Sequence, residues 1–207
     1  AIEKKLSIIR ITDHNEIHNS HTAIEYAKGK NILVLPGVEI STTQGHLLVY
    51  FETYKNLRDF FGNLTVSEDK KTCNQGILEC LEFAKIYNGF GILAHIELSS
   101  GFEQTIGRFG PPIEEILKHE YLLGLEINSK SSINLYTDLD DSPDRKRLLK
   151  LRKEHLGYDD SYTFPKLMSS DSHTLNRLGT NAEGENKLTR FKVDELNFHS
   201  IKILLKL

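Results

Sequence analysis

Five short apolar runs in this chain end in, or begin beside, a residue of a type that binds metal ions. Asp13 and His14 follow the run 7–11, Glu39 follows 33–38, His46 precedes 47–51, His95 follows 91–94, and Asp171 and His173 follow 164–168. Imidazole and carboxylate groups are the ligands that hold Zn, Mn or Fe in proteins. Because catalytic residues gather where barrel strands end and their loops converge, this recurrence predicts a metal site assembled from across the whole chain.

Length and composition indicate an ordinary globular protein, and we expect one domain over residues 1–207. Of its 207 residues, 39% are hydrophobic and 27% are charged. The net charge of -3 gives no general attraction for nucleic acid, although it does not exclude a local basic patch. We expect neither a membrane span nor a secretory leader. Cys73 and Cys80 are expected about 10 Å apart on one helix, as reduced thiols, which favours a cytoplasmic location.

Strand-like and helix-like segments alternate, which favours an α/β architecture with parallel strands. A turn at Pro36-Gly37 is expected to lead from one strand into Glu39. The charged stretch 130–160 is interpreted as an insertion, with Arg145 to Lys153 as a solvated helix face. The predicted strands are 7–11, 32–35, 47–51, 90–96, 122–127, 164–168 and 189–193. The predicted helices are 17–28, 74–88, 113–119, one through 148–151, and 198–207, so that residues 186–207 supply the last strand and helix.

Each candidate ligand has a simpler structural interpretation when it is taken alone. His14 can make a local hydrogen bond in a turn, Glu39 can be an exposed carboxylate, and His95 can be a core histidine. Asp171 and His173, separated by one residue at a strand end, favour function more clearly. The other histidines are interpreted as surface residues, namely His18, His21, His119, His155 and His199. Neither the Cys-x-x-Cys spacing of structural zinc sites nor a phosphate-binding Gly-x-x-x-x-Gly-Lys-Ser/Thr loop is present.

In its motifs the chain resembles the polymerase-and-histidinol-phosphatase (PHP) family of metal-dependent phosphoesterases. The matching motifs, in order, are Thr-Asp-His-Asn at 12–15, Pro-Gly-Val-Glu-Ile at 36–40 with Gly45-His46, Leu-Ala-His at 93–95, Ser-Asp-Ser-His at 170–173, and Gly179. The resemblance is greatest to PHP domains that precede an AAA-like or SMC-like ATPase, and the segment 187–207 resembles the junction there. It implies a distorted (β/α)7 barrel with up to three metals at its carboxyl mouth.

The resemblance also implies roles for single residues. Glu39 would bridge two metals, His46 and His95 would complete one of those sites, and Asp171 would serve the other. His14 and His173 would hold the third metal, with Asp13 in support. The family opens with a strand ending in His-x-His, whereas this chain begins with Ala-Ile-Glu-Lys-Lys. We therefore expect a barrel without its first strand, beginning inside the following helix, whose open edge would favour a homodimer.

The resulting hypothesis is a metal-dependent phosphoesterase that hydrolyses phosphate mono- or diesters, in the manner of a nuclease. It would use one to three Zn, Mn or Fe ions, with Glu39, Asp171 and Arg177 as catalytic residues. Arg177 is the first candidate to neutralise the phosphate, followed by Arg108 and Lys130. The main alternative is a degenerate module that binds metal or phosphate and regulates a partner ATPase. A metallohydrolase that cleaves a C–N bond is a third hypothesis.

Overall fold

The chain folds into a curled half-barrel sheet with helices packed around it, as seen in a computed structural model that describes residues 1–181 and 183–207. The six strands lie in chain order across the sheet: β1 Ile8–Ile11, β2 Leu33–Thr42, β3 Gly45–Tyr50, β4 Phe90–Leu93, β5 Leu122–Glu126 and β6 Lys166–Leu167. The described residues contain seven α-helices: α1 His18–Ala27, α2 Tyr54–Phe61, α3 Ile77–Ile86, α4 Phe102–Ile106, α5 Pro111–Lys118, α6 Pro143–Leu156 and α7 Phe198–Leu204.

The sheet is mixed, which corrects the expectation of parallel strands throughout. β1 pairs with β2 in parallel, and β4, β5 and β6 are parallel to one another, but β3 is antiparallel to both of its neighbours. Only Thr43 and Gln44 separate β2 from β3. A connection of two residues closes a hairpin and cannot make the long crossover that a parallel pair needs. The half-barrel is therefore built around one central hairpin.

The turn predicted at Pro36-Gly37 is wrong, because β2 runs straight through these residues. β2 pairs with β1 up to Pro36 and with β3 from Gly37 onward. Proline has no N–H to donate, so it is tolerated where the strand exchanges partners, and its carbonyl accepts a hydrogen bond from the Phe51 N–H at 2.9 Å. At Gly37 a Cβ atom would lie 2.7 Å from Cδ1 of Tyr50, so glycine leaves room for the neighbouring strand.

The chain termini also differ from the sequence-based prediction. Residues 2–5 form a turn rather than part of a helix, and residues 189–193 form no strand. The Thr189 hydroxyl instead bonds the backbone N–H and carbonyl of Met168 just beyond β6, at 2.8 and 2.9 Å. A side-chain hydroxyl thus satisfies backbone groups that a seventh strand would have paired. Helix α2 was not predicted; the Thr53 hydroxyl begins it by accepting a hydrogen bond from the Asn56 N–H.

The charged segment predicted as a solvated insertion is an integral helix, α6. Arg152 has 0% of its surface exposed, and its guanidinium donates to the carbonyls of Leu117, His119 and Leu122 and to the Tyr162 hydroxyl. The interpretation of Arg145 to Lys153 as a solvated face is therefore wrong for Arg152 and Lys153, which are buried, whereas Lys146, Arg147 and Lys150 are exposed. His119 is buried as well, against the expectation of a surface residue.

The two cysteines do not share one helix, in contrast to the sequence-based prediction. Helix α3 begins at Ile77, so Cys73 lies before the helix and Cys80 within it. The interaction with the Cys80 thiol lowers the pKa of Cys73 below its usual value, and the Cys73 thiol donates to Oε1 of Gln75 at 3.2 Å. Both are buried free thiols.

Strand periodicity divides the core between the two faces of the sheet. Leu47 and Val49 of β3 pack with α2, α3 and α5 on one face, while Leu48 and Tyr50 face α7 on the other. The outermost strands β1 and β6 both border a cavity of about 740 Å³, so the half-barrel has an open side. Pairing of two copies along that side stays a prediction. Within the described ranges, no helix is long and apolar enough to cross a membrane.

Candidate metal centre

The β2–β3 hairpin places a carboxylate and an imidazole side by side. Glu39 pairs with Leu48 and Ser41 pairs with His46 across the hairpin, so all four side chains share one face of the sheet. Glu39 follows six apolar or small residues in the chain and is only 4% exposed. Its Oε1 lies 2.8 Å from Nδ1 of His46. The hairpin therefore holds this pair by backbone register rather than by flexible loops.

His14 reaches the same place from the end of β1. The segment after β1 continues alongside β2: the Glu39 N–H donates to the Asp13 carbonyl and the Asn15 N–H donates to the Glu39 carbonyl. His14 Nδ1 lies 3.1 Å from the Ser41 hydroxyl and 3.9 Å from Glu39 Oε1. The end of one parallel strand thus delivers an imidazole beside the carboxylate of the next.

His95 follows β4 and completes the group. Its Nε2 lies 3.2 Å from His46 Nδ1 and 3.9 Å from Glu39 Oε1. Ile92 and Ala94 face α7, so simple alternation would turn the next side chain to the opposite face of the sheet. His95 instead has a φ of 26°, in the sparsely populated left-handed region. This backbone bend directs its imidazole towards the hairpin.

Glu39 Oε1 is the centre of this arrangement, with a nitrogen of each of three imidazoles within 4 Å of it: His14, His46 and His95. One ligand atom from each of His14, Glu39 and His46 lies within 4.8 Å of the others. Three imidazoles and a shared carboxylate are the donor set that Zn²⁺ and related transition ions prefer. Oδ2 of Asp13, the residue before His14, is also buried and has no hydrogen-bond partner. The chemistry of these residues therefore fits a divalent metal.

The Ser-Asp-Ser-His segment lies at the edge of this group. The ring of His173 stacks towards that of His14 with 6.5 Å between ring centres. Asp171 lines the same pocket as His173, and its charge adds to those of Glu126 and Glu39, which outweigh burial and raise the pKa of His95. Both side chains are exposed. They do not join the compact group that His14, Glu39 and His46 form among the described residues. That Asp171 and His173 bind a metal stays a proposal.

The predicted phosphate-binding cations lie in different places. Arg177 borders a pocket of about 200 Å³ that is also lined by Asp171, His173 and Lys187. Arg108 and Lys130 are exposed and do not line this pocket. Of the three candidates, only Arg177 therefore stands where a phosphate could contact both it and the candidate metal ligands.

Three solved structures have a similar fold. The lesion-specific endonuclease PfuEndoQ from Pyrococcus furiosus has a TM-score of 0.64 and 17% identity, over 97% of this chain and 48% of that chain. Endonuclease Q in complex with a 27-mer duplex substrate, with an abasic lesion at the active site, has a TM-score of 0.64 and 15% identity over 97% and 48%. A two-domain protein from Bacteroides vulgatus, which contains a predicted PHP-like metal-dependent phosphoesterase, has a TM-score of 0.59 and 15% identity over 97% and 54%.

The chain has a PHP-type fold. It spans about half the length of each of these structures, and identities of 15–17% show the shared fold alone. By sequence, the chain matches no family model and no curated protein. The resemblance seen in the motifs thus agrees with the PHP-type fold, while the six-stranded half-barrel corresponds to a partial barrel.

Within this PHP-type fold, one residue beside the ligands was missed by the sequence-based prediction. Glu126 ends β5, is 6% exposed and accepts a hydrogen bond from the His95 N–H at 3.3 Å. Its other neighbours are the Ser169 hydroxyl and the Arg10 guanidinium, the latter at 3.9 Å. A signal was present in the sequence, because Leu-Leu-Gly-Leu-Glu puts a carboxylate at the end of an otherwise apolar strand.

The charges of this neighbourhood are coupled. Burial by itself raises the pKa of Glu126, but the interaction with His95 and the charge of Arg10 outweigh burial and lower it. Burial likewise lowers the pKa of His95, and the interaction with Glu126 together with the charge of Glu39 outweighs burial and raises it. Glu126 and His95 therefore stabilise one another's charged forms.

Asn15 was part of a predicted motif but had no assigned role. It is 1% exposed, its side-chain oxygen accepts from the Ser41 N–H at 3.0 Å, and its amide donates to the Lys70 carbonyl at 2.9 Å. Like His95, it has a positive φ, 47°, as does Asp171 with 43°. Asn and Asp adopt this left-handed region readily, so among these three residues the backbone strain is concentrated at His95.

Proposed function

We propose that this protein is a metal-dependent phosphoesterase whose centre is formed by His14, Glu39, His46 and His95. The observation that carries the proposal is the convergence of three imidazole nitrogens within 4 Å of Glu39 Oε1. A divalent cation held there supplies Lewis-acid polarisation of a phosphoryl oxygen and lowers the pKa of a water molecule. The similarity in fold to a PHP-like phosphoesterase and to a lesion-specific endonuclease supports this chemistry.

Different residues of the chain would bind the cation and the phosphate. Glu39 and His46 are fixed by the hairpin, so they would bind the cation with little reorganisation of the backbone. Arg177 and Lys187 border the neighbouring pocket, where their charges would attract and orient the phosphate. Asp171 and His173 line the same pocket, and we propose that they complete a further metal position when substrate binds.

The substrate class we propose is a phosphodiester of nucleic acid. One structural neighbour was solved with a 27-mer duplex substrate that contains an abasic lesion. The net charge of -3 does not attract nucleic acid in general, so recognition would rest on the local cations Arg177 and Lys187. With two such contacts we expect weak binding and a shallow dependence on salt concentration, with a log–log slope of about −2.

A second candidate is a non-catalytic module that holds one metal and regulates a partner ATPase. The observation that favours it is the exposure of Asp171 and His173, which leaves one compact group of three ligands in the part of the chain that the structure describes. Such a group can bind a single ion without forming the two-metal arrangement of many phosphoesterases. The ATPase partner itself stays a prediction from the resemblance.

Hydrolysis assays separate the two candidates. The purified protein is incubated with Mn²⁺ and either p-nitrophenyl phosphate, bis-p-nitrophenyl phosphate or an oligonucleotide duplex with an abasic site. The proposal expects hydrolysis that is lost in Glu39→Ala and His95→Ala but kept in His155→Ala, an exposed histidine on α6 that serves as the matched control. Metal binding without turnover of any of these substrates would support the non-catalytic module instead.

A further inference from the structure

Glu126 lies behind the candidate ligand His95, on the side away from the other candidate ligands. Its Oε2 lies 3.3 Å from the His95 backbone nitrogen and 3.6 Å from the Nδ1 of the same residue. The opposite ring nitrogen of His95, Nε2, faces His46 and Glu39. The imidazole is therefore placed between a buried carboxylate at one nitrogen and the candidate metal ligands at the other.

The Glu126 carboxylate is itself held in place. Its Oε1 accepts a hydrogen bond from the Ser169 hydroxyl and lies 3.9 Å from Nη2 of Arg10. Arg10 in turn packs over the ring of Tyr50, with 5.2 Å from its guanidinium carbon to the ring centre. Because Oε1 is engaged by Ser169 and Arg10, Oε2 is the oxygen that remains for His95. Each oxygen of the carboxylate thus has its own partners, which fixes the orientation of the group.

A neutral imidazole carries one proton, and the group beside each nitrogen decides which nitrogen bears it. A carboxylate beside Nδ1 favours the tautomer with the proton on Nδ1, which leaves the Nε2 lone pair free. Such carboxylate–histidine pairs fix the ring orientation of metal-binding histidines and make them stronger ligands. Glu126 also holds the backbone of His95, which has a positive φ, because it accepts a hydrogen bond from the His95 N–H.

We propose that Glu126 is a positioning residue of this centre: its Oε2 holds His95 in the tautomer and orientation whose Nε2 binds a divalent cation. This inference rests on the proposed function, since it assumes that His95 binds a metal. Arg10 and Ser169 hold Glu126 in turn, so the support reaches from β1 through β5 to the segment after β6.

The first test measures zinc affinity by competition with a chromophoric chelator, for the wild-type chain and for Glu126→Gln. We expect binding to weaken roughly 10- to 100-fold in the variant, the range found for losses of this kind of support. The matched control is Asp140→Asn, which alters a buried carboxylate that pairs with Arg145 instead of a histidine. The control should lower the unfolding midpoint while leaving zinc affinity within about twofold of wild type.

The second test needs no variant of Glu126 and therefore holds even if Glu126→Gln does not fold. Long-range ¹H–¹⁵N NMR of the metal-free wild-type protein, at a pH where the imidazoles are neutral, reports the tautomer of each ring. The His95 signals are identified by their loss in His95→Ala. We expect the proton of His95 on Nδ1.

The outcomes separate this inference from the proposed function. Zinc affinity unchanged in Glu126→Gln, or a His95 proton found on Nε2, would overturn the role of Glu126 and leave the proposed metal centre standing. A wild-type protein that binds no zinc would overturn both. Weakened zinc binding together with the Nδ1 proton would support both.

Discussion

Glu39 and His46 lie on the two strands of one hairpin, with 2.8 Å between Glu39 Oε1 and His46 Nδ1. Their strands are joined by only two residues, so the backbone register alone brings the two side chains together. Imidazoles from the ends of two further strands, His14 and His95, approach the same oxygen. The candidate centre is therefore fixed by the sheet, and removing a single member should have a defined effect.

Replacement of Glu39 by glutamine should abolish stabilisation of the protein by metal. A ligand that binds only the folded state raises the free energy of unfolding by about 2.7 kcal/mol when its concentration is 100 times its Kd. We expect added Zn²⁺ or Mn²⁺ to raise the melting temperature of the wild type but not of Glu39→Gln. His21→Ala, an exposed histidine on α1, is the control and should respond like the wild type. An equal shift in Glu39→Gln would count against Glu39 as a ligand.

Gly37→Ala should destabilise the hairpin. An added Cβ would lie 2.7 Å and 2.9 Å from two ring carbons of the buried Tyr50 and 3.1 Å from Cγ2 of Thr12, so both neighbours would have to shift. Overpacking of this kind costs about 1–3 kcal/mol. Gly110→Ala is the matched control, because a Cβ there meets no atom within 4 Å. Urea unfolding should show the loss for Gly37→Ala only; equal midpoints for the two variants would contradict the close approach of Tyr50.

Arg152→Met should destabilise the protein by about 3 kcal/mol or more, because it leaves buried carbonyls without a donor. The guanidinium donates to the carbonyls of Leu117 and Leu122 at 2.6 and 2.7 Å. Lys150→Met on the same helix is the control, since the Lys150 side chain is 77% exposed, and it should change stability by less than about 0.5 kcal/mol. Chemical denaturation of both variants measures the difference, and a tolerated Arg152→Met would show that the buried cation is dispensable.

Arg152 also illustrates what sequence could not reveal. A run of basic residues on a helix usually faces solvent, and neither composition nor periodicity shows that one of them meets inward-facing carbonyls. Those carbonyls belong to α5, β5 and the residues between them, so the need for a donor arises only when α6 packs there. By contrast, β1, β3 and β5 were predicted within one or two residues, because short apolar runs between polar segments indicate buried strands directly.

The candidate centre was predictable in its members but not in its geometry. Glu39, His46 and His95 stood out as ligand types at the ends of apolar runs. The sequence did not show that β2 continues through Pro36-Gly37, because the exchange of strand partners that tolerates proline is a property of the sheet. It did place Glu126 at the end of an apolar strand, but not its role, which depends on the His95 ring beside it. Strand-end patterns identify candidate ligands, while their supporting residues follow only from packing.

The stability of the protein should depend on pH through Lys166 on β6. Burial lowers its pKa from 10.5 to about 8 in the folded state. Between these values the unfolded chain binds more protons, so stability rises with pH across this window, and the full penalty is present below about pH 8. A shift of this size corresponds to a penalty on the order of 3 kcal/mol.

Lys166→Met removes this titration. Relative to wild type, the variant should therefore gain more stability near pH 7 than near pH 10.5, as measured by urea unfolding at both values. A difference between the two proteins that does not change with pH would show that Lys166 titrates normally.

The most direct test of the account is equilibrium dialysis of the metal-free protein against Zn²⁺ and Mn²⁺, followed by elemental analysis of the bound metal. The wild-type chain should retain at least one ion per chain. His46→Ala, with its fold checked by circular dichroism, should retain clearly less at the same free metal concentration, while His155→Ala should match the wild type. A wild-type chain that retains no metal, or a His46→Ala variant that retains as much as the wild type, would contradict a metal centre built on the Glu39–His46 pair.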